Sequence, residues 1–276
     1  MADSLHTVLL ATQCTEFDTG AERVGIELAA RYAIALYTVL PLVSNPEYES
    51  IAPMLEDATE AEAAWKLQAL REVAAARGVD LIGKVRRGEE PFREIVSEAG
   101  ERGADLIVVR RRGKRGLLAN LLMGEMVQSV TSHAPCDVLI VPPSANAWPR
   151  GIVLATDGSP HSLRASRVAA AVAARWTLPL TVVSVAGDDD VDGRRASACV
   201  DCALAEARAA GAAAIGQVGS GKPHEAILHA AGLAGADLVV VGRRGLNPLK
   251  RALLGSTSQR VASHAEGTVL VVHADA

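Results

Sequence analysis

Short apolar runs alternate with longer stretches of helical period along this chain. In its C-terminal half, runs near 151–156, 180–186, 213–218, 237–241 and 268–272 have the length and composition of buried strands. Between them, 160–175, 193–210, 223–234 and 256–264 carry apolar residues at helical spacing. The first of these helices opens on Ser159-Pro160, an N-cap followed by proline at the first helical position. Regular alternation of strand and helix predicts a parallel sheet joined by right-handed crossovers.

The pattern occurs twice. Ala104–Val109 matches Ala236–Val241, and Ser132-His133-Ala134 matches Ser263-His264-Ala265. Val138–Val141 matches Val269–Val272, and Leu9–Thr12 matches Val153–Thr156. The first copy carries extra residues in its middle, which the pattern assigns to the helical stretch Ile51–Arg77. Pro142 to Arg150, rich in proline and small residues, reads as a connection between the copies. The expected organisation is a first domain over 1–143, a linker over 144–150 and a second domain over 151–276.

Composition narrows the class. Hydrophobic residues make up 49% of the 276 residues and aromatics only 3%, so the cores must be built from Ala, Val, Leu and Ile. That suits buried parallel strands under alanine-rich helices. A formal net charge of −4 gives no overall attraction to nucleic acid. No apolar run approaches the ~20 residues that span a bilayer, and no basic region precedes the short apolar run Val8–Ala11. The expectation is a soluble cytoplasmic protein with neither a membrane nor a nucleic-acid partner. Four cysteines are too few for a disulfide framework here. Cys199 and Cys202 form a CxxC inside an alanine-rich helix with no second pair, and read as two small apolar residues one turn apart. The histidines show no metal-ligand spacing.

The chemistry concentrates in one loop. Gly242-Arg243-Arg244-Gly245 begins where an apolar strand ends, and nine residues later Gly255-Ser256-Thr257-Ser258 opens a helix. Glycines 242 and 245 allow a sharp turn and close backbone approach to a ligand. The helix start offers free N–H groups and the positive end of the helix dipole. The loop is therefore a candidate phosphate cradle. Asp157, after Thr156 at the end of the first strand of this half, suits an adenine amino group or a ribose hydroxyl, or an Asx turn capping the next helix.

The spacing G-x2-G-x9-G-[S/T] resembles the ATP-binding signature of the universal stress protein family. The resemblance covers nearly the whole chain, with 151–276 similar to one intact domain and the first half to an altered copy. It implies, for each copy, a doubly wound parallel five-stranded sheet in strand order 3-2-1-4-5 with helices on both faces. Ligands would bind where that order reverses. It implies adenine-nucleotide binding by Ala155, Thr156, Asp157, Val185, Gly242, Arg243, Gly245, Gly255, Ser256, Thr257 and Ser258. The nucleotide expected is ATP, with AMP and ADP as alternatives and Mg2+ as an accompanying ion. It also implies a stress-response regulator with an unidentified protein partner, pairing of the two copies through their last strands, and a homodimer as a further association. A ligand-free interaction module and a slow ATPase or autophosphorylating protein remain the alternatives.

The first copy departs from the signature. Gln13 stands for Asp157, Arg110 for Gly242, and Gly124-Glu125-Met126 for Gly255-Ser256-Thr257. It is expected not to bind nucleotide, and its cations Arg110, Arg111, Arg112, Lys114 and Arg115 to form a solvated loop. Gly216 to Lys222 resembles half a phosphate-binding P-loop, but Pro223 lacks the hydroxyl and the N–H such a loop needs. It reads as a strand-to-helix turn.

Overall fold

The computed structural model describes residues 5–44, 53–111, 124–187, 190–244 and 254–274. The first half runs β1 (Val8–Ala11), α1 (Thr19–Tyr32), β2 (Leu36–Val43), α2 (Pro53–Ala75), β3 (Leu81–Gly88), α3 (Pro91–Arg102), β4 (Leu106–Arg110), α4 (Glu125–His133) and β5 (Asp137–Val141). The second runs β6 (Ile152–Ala155), α5 (Pro160–Trp176), β7 (Leu180–Ala186), α6 (Asp190–Ala209), β8 (Ala214–Ser220), α7 (Pro223–Leu233), β9 (Leu238–Gly242), α8 (Ser256–His264) and β10 (Thr268–Val272).

Each half has its strands in the expected order 3-2-1-4-5, and the two sheets meet through their last strands, also as expected. They join into one ten-stranded sheet, β3-β2-β1-β4-β5-β10-β9-β6-β7-β8. The join is the antiparallel pair β5–β10, with Leu139 opposite Leu270, and every other neighbouring pair is parallel. Both joining strands are buried along their whole length, so each covers what would otherwise be an open apolar edge of the other. The helix of the stretch assigned the extra length of the first half, α2, has 23 residues against 20 in α6.

The repeat extends to backbone conformation. Ala33 and Thr177 end α1 and α5 at a left-handed φ of 53°, and Gly103 and Gly235 both have φ 59°. One face of the sheet packs on α1, α2, α5 and α6, and the other on α3, α4, α7 and α8. The cores consist of Val, Leu, Ile and Ala, as an aromatic-poor chain requires.

One buried charge cluster ties α3 to β3. Glu98 is 2% exposed and accepts from Arg86 at 2.8 Å, Arg102 at 2.9 Å and Lys84 at 3.0 Å. Burial alone would raise its pKa, but these three bonds together hold it at about 2. A carboxyl depressed in the fold stabilises fully above its unfolded pKa of about 4.3, and that stabilisation is lost as pH falls through the folded value. Glu98→Gln should therefore cost about 2–3 kcal/mol at pH 7 and much less near pH 2.5, read from denaturant midpoints. An equal deficit at both pH values would contradict this account.

Candidate functional site

At the carboxyl ends of β6 and β9, where the strand order of the second half reverses, lies a cleft of about 310 Å³. Its walls come from β6 and the turn after it (Ala155, Thr156, Asp157), from β7 (Val185) and from the end of β9 (Gly242). The start of α8 (Gly255, Ser256, Thr257, Ser258) completes them. Nine of the eleven residues expected from the sequence thus line one cleft. Gly245 lies outside the described residues, and Arg243 points elsewhere.

Each wall has a local cause. Asp157 Oδ1 accepts from the Ser159 N–H at 3.0 Å, closing an Asx turn in which Gly158 takes φ 77°. Ser159 caps α5 by accepting from the Ser162 N–H, while its own hydroxyl donates to the Arg244 carbonyl at 3.1 Å. The turn after β6 is thereby fastened to the loop after β9. Gly242 packs directly on α5: a Cβ there would lie 2.8 Å from both the His161 carbonyl carbon and the Ser162 amide nitrogen. Only glycine fits this approach.

The start of α8 differs in detail from the sequence expectation. Its N-cap is Gly255, with no side chain capping it. The Gly255 N–H is already used, donating to the Arg243 carbonyl at 2.8 Å. The Ser258 hydroxyl donates to the Gly242 carbonyl at 2.6 Å and is buried. Gly255 and Ser258 therefore brace the two glycine segments against each other. Their backbones line the cleft, but these two groups are not free donors. The free donors are the first N–H groups of α8 and the hydroxyls of Ser256 and Thr257.

Arg243 corrects another expectation. Its N–H remains paired to the Val272 carbonyl of β10 at 2.7 Å, which turns the side chain towards the seam between the halves. There Arg243 is 9% exposed, its guanidinium is bonded to His273, and its Nε has no partner among the described residues. Burial, then the charge of Arg244, pulls its pKa down to about 10. Burial and the same arginines also lower His161, and they push His273 down to about 3, so that His273 is neutral at physiological pH. Arg244, not Arg243, lines the cleft.

The sequence reading missed the apolar lining supplied by Val183, Val241, Ile227 and Pro223. Val183 was legible, since it lies two residues before Val185 and so faces the same side of β7. Among the described residues, no group of three His, Cys, Asp or Glu side chains is placed to hold a metal, and no helix is long and apolar enough to cross a membrane.

The universal stress protein family model matches this chain twice, over residues 5–142 and 150–273. The chain belongs to the universal stress protein family. A curated member, universal stress protein MJ0531 of Methanocaldococcus jannaschii, is 30% identical over 142 residues, covering 49% of this chain and 80% of that one. The crystal structure of a universal stress protein from Archaeoglobus fulgidus shares the fold over 98% of both chains, with a TM-score of 0.77 at 20% identity. A universal stress protein in complex with cAMP is 33% identical across 46% of this chain and 98% of its own, with a TM-score of 0.40.

In the first of the two family repeats an arginine side chain lies across the corresponding position. Arg110, at the end of β4, donates to Thr15 Oγ at 3.0 Å, Asp18 Oδ2 at 3.1 Å and Gln13 Oε1 at 3.0 Å. Its side chain is 13% exposed and Asp18 1%. Arg110 therefore spans from β4 to the turn after β1, across the position where the other repeat is open. Arg111 is also half-buried and donates to the Ala265 carbonyl of the second half. These two arginines are thus not solvated loop cations; Arg112, Lys114 and Arg115 lie outside the described residues. Cys14 holds φ 50° where the second repeat has Gly158, and burial pushes its thiol up to about 12.

Proposed function

We propose that the second half binds an adenine nucleotide and that the first half is a scaffold for it. The reading rests on one observation above all: the uncapped start of α8, the Gly242 turn and Asp157 converge on a single cleft at the strand-order reversal. Free N–H groups at a helix start favour phosphate. Arg244 adds a cation, while Asp157, at the opposite wall, suits ribose or base. Val183, Val185 and Ile227 supply the apolar surface that a purine ring needs. ATP, with Mg2+ on its phosphates, is the form this reading favours, because the N–H groups and Arg244 match several negative charges. A nucleotide-dependent change in partner choice would make the protein a stress regulator.

The first half is not expected to bind, because Arg110 lies across the corresponding position and Glu125 stands at the start of its α4. Titration calorimetry of ATP into the wild type should give one site per chain. The same titration into Gly255→Glu, which places a carboxylate at the cradle, should show binding lost. Two sites would overturn the scaffold assignment. No binding to the wild type would leave a ligand-free interaction module.

A further inference from the structure

A second cavity, of about 370 Å³, lies at the seam, far from the nucleotide cleft. It sits on the face covered by α1 and α5. Leu139 of β5 and Leu270 of β10, opposite each other across the seam, form its floor. Leu28 of α1 and Val172 of α5 form its sides, and the connection between the halves, 144–150, forms its roof. At ~30 Å³ per water the cavity has room for about twelve.

The roof is pinned without filling the space. Only eight residues of the chain are aromatic (Trp 3, Tyr 3, Phe 2), yet three of them meet here. Trp148 of the roof lies edge-on to Trp176 at 5.1 Å, and Trp176 edge-on to Tyr32 at 5.7 Å. The Arg31 guanidinium sits 4.2 Å from the Trp148 ring centre. On the other side Asp237 accepts from Asn146 at 2.8 Å and from the Arg150 N–H at 2.7 Å and Nε at 3.0 Å. The connection is therefore fastened by hydrogen bonds at Asn146 and Arg150 and, between them, by the ring contacts of Trp148.

Shape and charge select the occupant. The cavity extends from the level of Leu106 to that of Leu238, four residue steps along the seam strands, or roughly 13 Å. Its volume over that length leaves a narrow channel suited to one unbranched chain. Leu5, Val24, Leu28, Leu139, Val172 and Leu270 give it an aliphatic stretch, against which water finds few hydrogen-bond partners. At the end near β9, the polar side chains are Asn146, Arg150, Asp237, Glu266 and Thr268. Arg150 is engaged with Asp237, and Glu266 adds a second carboxylate. That balance disfavours a carboxylate head and accepts an uncharged hydroxyl. We propose that this cavity binds an unbranched alkyl chain with a neutral hydroxyl head group.

The test uses the full chain carrying Trp65→Phe, which removes an exposed tryptophan on α2 and leaves Trp148 and Trp176 as fluorescent reporters beside the cavity. Titration with primary alcohols from hexanol to decanol should give saturable fluorescence changes, with affinity rising about fourfold per methylene. Decanoate should bind more weakly than decanol. Leu270→Phe, which fills the floor, should abolish the response while the thermal midpoint stays level or rises. Val172→Phe, which fills one side, should do the same and serves if the first variant does not fold. ATP should leave the alcohol titration unchanged. Absence of saturation, affinity independent of chain length, unweakened binding in a folded filled variant, or competition by ATP would each overturn the proposal.

Discussion

Gly242→Ala is expected to lower nucleotide affinity about 100-fold, equivalent to roughly 2.7 kcal/mol. The added methyl group would lie 2.8 Å from two backbone atoms of the first turn of α5, His161 C and Ser162 N, and 3.0 Å from His161 Cβ. Backbone cannot swing aside as a long side chain can, so either the end of β9 or the start of α5 must move. Overpacking of this kind costs about 1–3 kcal/mol of stability. The larger effect falls on the cleft, because the Gly242 carbonyl anchors Ser258 at 2.6 Å and the Ser159 hydroxyl anchors Arg244 at 3.1 Å. Displacing Gly242 separates the two walls that must grip the phosphates together. Calorimetric titration of ATP and a denaturant melt on the same variant would measure both effects. A folded variant that kept wild-type affinity would refute the role given to this glycine.

Arg164→Ala should be the most destabilising change at the seam, at about 3–5 kcal/mol. Its Nη1 lies 2.5 Å from Asp137 Oδ1, which is buried at the start of β5 and also accepts the His273 N–H at 2.9 Å. Removing the arginine leaves a carboxylate with no cation in a dry site. Asp137→Asn added to that variant should recover part of the loss, since the uncompensated charge is then gone. The pH dependence follows from sign. Burial already pushes the Asp137 pKa up in the native protein, against the opposing pull of Arg164. Without the arginine it rises further, and an acid with a raised folded pKa favours the fold more as pH falls. The deficit of Arg164→Ala should therefore shrink from pH 7 to pH 5, measured by denaturant midpoints. A deficit that grew in acid would rule out this explanation.

Much of this could be read from the chain because it is locally determined. Strand and helix lengths follow the spacing of apolar residues, and the second-half elements fall within a few residues of the pattern. Ser159-Pro160 starts α5 where the cap predicts, and Pro223 starts α7 with Lys222 occupied by Glu225 at 2.9 Å. The two copies declare themselves through repeated segments, and buried apolar last strands point to the seam. The direction taken by the arginines is a different matter. Arg243 turns to the seam because its peptide stays in the ladder with β10, and Arg110 is held by Gln13, Thr15 and Asp18, more than ninety positions earlier. Such pairings exist only once the chain has folded. The same holds for the Gly255 N–H, whose acceptor, Arg243, lies across the nine-residue loop.

The antiparallel pairing of β5 with β10 has a consequence for abundance. Two separate subunits meeting through such strands would part on dilution, and any property that depends on the meeting would track how much protein a cell makes. Here a short tether, fastened at Asn146, Trp148 and Arg150, keeps the strands at an effective concentration that dilution does not alter. A handful of copies per cell would be as fully assembled as thousands. A nucleotide response of the kind proposed above would then report the nucleotide level alone, independent of how strongly the protein is expressed.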